Sequence, residues 1–354
     1  MPKGVSVAQM TTDDASFLCA PAGVLAVLAT TAVETLNFGQ WSVVEERAAR
    51  VDLGCAGFSE LEFRLHWGRS MLHEVNGRPD DALASARAVC RTAASEATDL
   101  LGRCRRAAVL LRYGERLAYR DLALSIRCKF EALDLRSIRD WTSAMLPVEV
   151  AEMLAFMGDP DGAANALRST HAITNLPPPP DSEIPVRLAM HAYAIGVVAD
   201  AAGGSLQAQR CYRRAFEAYR GIGFTRRAMS VALRLAEMTG DEEFAAFVDG
   251  HARALSPQSW IRARLAAVTV QRRDPVLQRL SRAEREVLAY LVDGRSTAEI
   301  AAARNRSPQT TRNTVSKLLS IFGVGSRSAL LREVARRHLL DADGRPAWSA
   351  GPPG

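Results

Sequence analysis

Lysine is nearly absent from this chain: only Lys3, Lys129 and Lys317 occur in 354 residues, and arginine supplies almost all of the positive charge. None of the three follows a glycine-rich phosphate loop, which excludes a Walker-type NTPase. The six histidines (His66, His73, His171, His191, His251, His338) are scattered, and His73-Glu74 lacks the second histidine of an HExxH zinc motif. No GxSxG nucleophile elbow is present. The six cysteines (Cys19, Cys55, Cys90, Cys104, Cys128, Cys211) form no CxxC pair and read as free thiols of a reducing compartment. The apolar run AGVLAVLATTAV (22–33) is too short to cross a bilayer. It also follows Asp13 and Asp14, where a signal peptide would need a basic start. These absences predict a cytoplasmic protein that is not an enzyme, holds no cofactor or metal and has no membrane contact.

The sequence does have material for packed cores, at 48% hydrophobic residues, and length for roughly two domains. Its net charge of +6 is unevenly placed. Residues 251–340 hold sixteen Arg and one Lys against six acids, a net of +11, which leaves −4 for residues 1–250 and −1 for 341–354. Basic charge gathered in one quarter of a chain is the electrostatic footprint of a nucleic-acid-binding module.

Residues 1–250 show helical periodicity throughout, rich in Ala, Leu and Arg. A glycine followed five residues later by alanine recurs: Gly77/Ala82, Gly158/Ala163, Gly203/Ala208 and Gly240/Ala245. Such a pair predicts a tight turn ending one helix, then a small residue where the next helix packs closely. Around Gly203, Gly196, Ala208, Tyr212 and Ala215 stand at the spacing of alternating small and large packing positions. This pattern resembles the tetratricopeptide (TPR) repeat in a degenerate, unevenly spaced form. The stretch NLPPPPDSEIP (175–185) cannot be helical and reads as a stiff connector between helical blocks. A stacked-helix surface offers a groove for a small molecule, a peptide or a protein effector.

From residue 280 the helix punctuation is explicit. Ser281-Arg-Ala-Glu284 and Ser296-Thr-Ala-Glu299 are capping boxes. The first opens a helix burying Val287, Leu288 and Leu291 that stops at Gly294; the second carries Ile300 and Ala301 inward. Ser307 then caps a third helix with Pro308 at its first position, an apolar stripe of Thr311, Val315, Leu318, Leu319 and Phe322, and a stop at Gly323. Ser326 caps a fourth helix. The second and third helices, joined by the short turn ARNR, are predicted to form a helix-turn-helix whose third helix enters the DNA major groove. Its polar face is Gln309, Arg312, Asn313, Ser316 and Lys317; arginine can pair with guanine and asparagine with adenine.

The segment LSRAEREVLAYLVDGRSTAEIAAARNRSPQTTRNTVSKLLSIFGVGSR (280–327) closely resembles the LuxR/GerE-type helix-turn-helix of bacterial transcriptional regulators. The GVGSR turn, with a further helix behind it, separates it from the similar region four of sigma factors. Carried over by position, the resemblance implies base contacts from Arg312, Asn313 and Ser316. It implies phosphate or near-groove contacts from Arg295, Ser307, Gln309, Thr310, Lys317 and Arg327, and a dimer contact from the fourth helix through Leu330, Leu331 and Val334. The sequence departs from the family where Arg304 and Arg306 replace apolar residues, where Thr311 replaces a branched apolar one, and where Thr314 replaces a common histidine.

The predicted protein is all-α: an irregular TPR-like helical-hairpin domain (1–250), a basic helical hinge (251–278), a four-helix LuxR-type domain (279–340) and a disordered tail (341–354). Its expected partners are double-stranded DNA at a promoter inverted repeat, a second copy of the chain as homodimer, RNA polymerase, and an effector of unknown class at the helical domain. The competing expectation is a TPR-like scaffold whose C-terminal domain contacts RNA polymerase or another regulator, with little DNA specificity.

Overall fold

The computed structural model describes residues 22–50, 58–176, 184–337, 339–340 and 346–348. Among these, the regular structure is helical, and β-type pairing is confined to one isolated bridge, Leu340–Pro346. The all-α class is as expected. Cys19, Cys55, residues 177–183 of the proline stretch and most of the expected tail lie outside the described residues. By contacts the chain divides into two compact units, residues 1–231 and 232–353.

The first unit is built from α1 (Ala22–Glu34), α2 (Phe38–Ala48), α3 (Phe58–Val75), α4 (Pro79–Arg91), α5 (Glu96–Arg112), α6 (Arg116–Ala132), α7 (Leu146–Met157), α8 (Pro160–Arg168), α9 (Ile184–Ala201) and α10 (Ser205–Gly221). Helix α11 (Thr225–Thr239) crosses the division. Each odd-numbered helix from α1 to α9 packs against the next odd one and against its own even partner. This is a stack of helical hairpins in which the odd helices form one layer.

The turns follow from the glycine/alanine spacing. At Gly158 the backbone turns left-handed (φ 86°), and the Asp159 N–H donates back to the Leu154 carbonyl at 3.0 Å. Ala163, five residues on, is fully buried. A side chain is strained at positive φ, so only glycine closes this turn without cost. Positive φ recurs at Gly77, Gly203 and Gly240, with the same return bond after Gly77 and Gly203. It also occurs at Gly114 and Gly223, ahead of buried Tyr119 and Ala228.

Gly196 shows how tightly the hairpins close, since a Cβ added there would stand 2.8 Å from Cδ1 of Tyr212. Ala208, Tyr212 and Ala215 are buried at the same α9–α10 seam. By length and composition α9 could cross a membrane, but it packs against α7, α8 and α10 as a core helix of this stack does.

In the second unit follow α12 (Glu242–Ala252), α13 (Trp260–Arg273), α14 (Pro275–Arg279), α15 (Arg282–Val292), α16 (Thr297–Ala303), α17 (Pro308–Phe322) and α18 (Arg327–Arg336). The stretch expected to be a basic hinge is largely packed helix. On α13, Ile261, Ala267 and Val268 are buried, and Arg264 donates to Glu237 Oε1 through Nε at 2.8 Å. The last four helices close over a core of Leu277, Leu280, Val287, Leu288, Leu291, Ile300, Leu318, Phe322, Leu330 and Val334. Trp348, within the stretch expected to be tail, is only 3% exposed in this core, and its indole Nε1 donates to the Arg285 carbonyl at 3.3 Å. The ordered domain therefore extends beyond residue 340.

Candidate nucleic-acid interface

Four helix starts place the candidate interface, and all four use the serines read from the sequence. Both capping boxes are formed, with Ser281 and Ser296 accepting from the backbone N–H of Glu284 and Glu299 at 3.3 Å each. The glutamates reach back to the serine N–H groups at 2.7 Å. Ser307 caps α17 by accepting from the Thr310 N–H at 3.1 Å, with Pro308 at the first helical position, and Ser326 caps α18. Such caps satisfy N–H groups that a helix start otherwise leaves bare.

The turn from α16 to α17 is closed by Asn305 at φ 50°, and the Arg306 N–H donates to the Ala301 carbonyl at 2.9 Å. Asparagine is among the few non-glycine residues that tolerate this left-handed conformation. The departures from apolar residues are absorbed in two ways. Arg304 folds inward, its side chain 13% exposed, and donates from Nε to Glu286 at 3.3 Å. Arg306 points to solvent. Thr311 is fully buried, its hydroxyl donating to the Ser307 carbonyl at 3.3 Å, so one side chain serves both the core and the helix start. Thr314 likewise donates to the Thr310 carbonyl at 3.0 Å.

On α17 the buried positions Thr311, Leu318 and Phe322 recur at helical spacing and leave Gln309, Arg312, Asn313, Ser316 and Lys317 exposed on the other side. Among the described residues no hydrogen bond or ion pair engages the Arg312 or Ser316 side chain. The Gln309 amide donates to Asn313 Oδ1 at 3.0 Å, which orients the asparagine and leaves its NH₂ free to donate outward. Lys317 is exposed but tethered, its Nζ 2.6 Å from Glu284 Oε1 on α15. Burial works against the Glu284 carboxylate, yet the bonds from Lys317 and Ser281 outweigh it and hold its pKa below the usual range. Thus Glu284 both caps α15 and positions the one lysine of this domain.

The other expected contacts are less uniform. Arg295 is exposed, its guanidinium 5.0 Å from the centre of the Tyr290 ring. Ser307 and Thr310 are exposed at the start of α17 and share a hydroxyl bond at 2.8 Å. Arg327 is half-buried and donates to the Leu291 carbonyl at 3.1 Å, so it also pins the start of α18 to the end of α15.

The expected dimer contact requires a correction. Leu330 and Val334 are fully buried in the domain's own core, four residues apart on the inward face of α18. They hold that helix to its neighbours and cannot face a partner; Leu331, one position round the helix, remains partly exposed. Among the described residues no three His, Cys, Asp or Glu side chains gather as a metal site.

Residues 278–334 match the family described as "Bacterial regulatory proteins, luxR family". The C-terminal domain is a LuxR-type helix-turn-helix. Its curated relatives include the "Probable transcriptional regulatory protein NarL" of two Mycobacterium tuberculosis strains, each 40% identical over 77 residues. That alignment takes in 22% of this chain and 36% of each relative, so the chain matches little more than a third of their length. In this LuxR-type domain the sequence reading located every helix and cap, whereas the Glu284–Lys317 tether and the Arg304–Glu286 pair escaped it. Both link positions that are distant in sequence, and only their charges hinted at a partner.

Proposed function

We propose that this protein is a DNA-binding transcriptional regulator of a bacterial cytoplasm, reading its operator with α17. The observation that carries this is the outward face of α17, where Arg312 and Ser316 offer unspent hydrogen-bonding groups beside an asparagine pre-oriented by Gln309. Polar groups held without intramolecular partners on a capped, rigid helix are ready for base edges. Arg312 and Asn313 are assigned to base contacts together with Ser316. Arg295, Arg306, Ser307, Gln309, Thr310 and Lys317 are assigned to phosphates or the groove edge, and Arg327 contributes from a more buried position. The surplus of +11 over residues 251–340 supplies the general attraction to the duplex.

Two copies bind an inverted repeat with half-sites about one helical turn apart. Their contact uses the outer face of α18 around Leu331. The stack of hairpins is a TPR-like effector or assembly domain, and RNA polymerase is a further partner. The test is footprinting of the full-length protein on a selected operator. Protection of both half-sites, with Arg312→Ala and Asn313→Ala each losing roughly 5- to 150-fold in affinity for that operator, supports the reading. A single-half-site footprint overturns the dimer, and unchanged sequence preference in both variants overturns the assignment of α17.

A further inference from the structure

We propose that the outer face of α6 docks on the same face of a second copy of this chain, antiparallel, about a two-fold axis between Arg120 and Asp121. This self-contact is separate from the one proposed for α18 on DNA and does not rest on it.

The face stands out against the corresponding helices of the stack. The third residue after the turn glycine is Asp80 on α4, Asp161 on α8 and Glu243 on α12, each in the first helical turn. An acid suits that place, because the N-terminal end of a helix favours negative charge. On α6 the same position, three after Gly114, holds Leu117, and this leucine is 82% exposed. Seven residues on, Leu124 is 44% exposed. The hairpin's own packing is served by the opposite side of α6, where Tyr119, Ala123, Ile126 and Phe130 are buried. That side lies against α5 and α7. A single exposed leucine is ordinary on a protein surface, whereas two in line on one helix, left over by the fold, mark a contact face.

Charge names the occupant. Between the two leucines stand Arg120 and Asp121, both exposed, and among the described residues neither side chain makes a hydrogen bond or an ion pair. Positions 117, 120, 121 and 124 fall at i, i+3, i+4 and i+7, which is one side of a helix. When that side is laid antiparallel on a copy of itself, Leu117 meets the partner's Leu124 and Arg120 meets the partner's Asp121. The two-fold axis makes each pair occur twice, as an isologous contact requires. A parallel arrangement sets Arg120 against the partner's Arg120, and a slide of one turn sets a leucine against a charge. The face is therefore self-complementary in one register. Helix α10 gives the contrast: Leu206 is 65% exposed, but Arg210, Arg213 and Arg214 follow it on the outside, and two such faces repel.

Size limits the strength. A helix of 17 residues is about 25 Å long, and one helix-on-helix contact buries less than the roughly 800 Å² per partner of a standard interface. Self-association is accordingly weak, with a Kd of roughly 10–100 µM, and gains from any second contact that holds two copies together.

The experiment is sedimentation velocity of the full-length protein without DNA, from about 2 to 200 µM at about 150 mM salt. Reductant is present because Cys128, three turns beyond Leu117, is exposed. The mass should rise from monomer to dimer across that range. Leu117→Asp should weaken association about tenfold or more while Tm moves by less than about 2 °C, since the residue is exposed and an acid suits the helix start. Arg120→Asp and Asp121→Arg should each weaken it about fivefold or more, by setting like charges together at two places. The two changes combined should restore it. A protein that stays monomeric at the highest concentration overturns the proposal, and so does a dimer that Leu117→Asp leaves intact. A combined variant no tighter than the single ones overturns the antiparallel register. Leu331→Ala should leave this association unchanged, so failure here and failure of the α18 contact on DNA are distinguishable.

Discussion

Replacing Glu152 by glutamine removes one titration from the interior of the hairpin stack, and the protein should become more stable at high pH as a result. In the unfolded chain this carboxyl titrates near 4.5, whereas in the folded chain burial first, and then Glu149, push it up to about 7. Below 4.5 both states are protonated and the group contributes nothing. Between 4.5 and 7 the unfolded chain ionises first, so a penalty on folding grows, and above 7 it is complete. At about 1.4 kcal/mol per pH unit, that interval corresponds to about 3 kcal/mol.

Other groups titrate in the same window with the opposite sign. His66, His73 and His191 are held below their ordinary range chiefly by burial, so they favour folding as pH rises through 6.5. The lowered carboxyls of Glu34 and Glu74 have already ionised in both states by pH 6. These contributions are common to the wild type and to Glu152→Gln, so the difference between the two proteins isolates Glu152. Thermal unfolding from pH 5 to 8.5 should show little difference at pH 5 and an advantage for the glutamine variant at pH 8. For a unit of this size the advantage should be roughly 6–12 °C in Tm. A difference independent of pH, or a glutamine variant less stable at pH 8, would refute the reasoning.

Four further outcomes follow from the LuxR-type domain. Leu330→Ala should lower the domain's stability by about 2–5 kcal/mol in urea titration, because it empties a core position. Leu331→Ala should leave stability nearly unchanged and instead weaken the two-copy complex on DNA, seen as a shift towards single occupancy in gel mobility. Trp348→Ala should cost about 3–5 kcal/mol, and a neutral result would mean that the indole does not belong to the core. Arg306→Ala should reduce the slope of log affinity against log salt by about 0.9 on operator and scrambled DNA alike, as loss of one phosphate contact requires, while Tm stays put.

Local rules were legible wherever one residue decides a backbone feature. Ser281, Ser296, Ser307 and Ser326 each cap a helix as the sequence implied, and Gly294 and Gly323 each end one at positive φ. The glycine/alanine turns were equally clear. Where another residue takes the left-handed position, as Leu36 does at φ 55°, or where tyrosine replaces the alanine after Gly114, the pattern gave no sign. The interior of the hairpin stack was not legible at all. Its bonds join Glu34 to Arg226, 192 residues apart, and no local period encodes such a pairing. The inward face of α18 was misread because Leu330, Leu331 and Val334 look alike as letters, and only the packing separates the core pair from the exposed one. Trp348 was missed because a tail rich in Gly and Pro resembles disorder even when one aromatic anchors it.

Capture of sheared genomic DNA by the full-length protein at about 150 mM salt, with Arg312→Ala in parallel, tests sequence reading by α17 most directly. The wild type should enrich a small set of promoter fragments that share an inverted repeat, and the variant should lose that enrichment while remaining folded. Recovery of random fragments by both proteins, or of the same promoters by both, would contradict it.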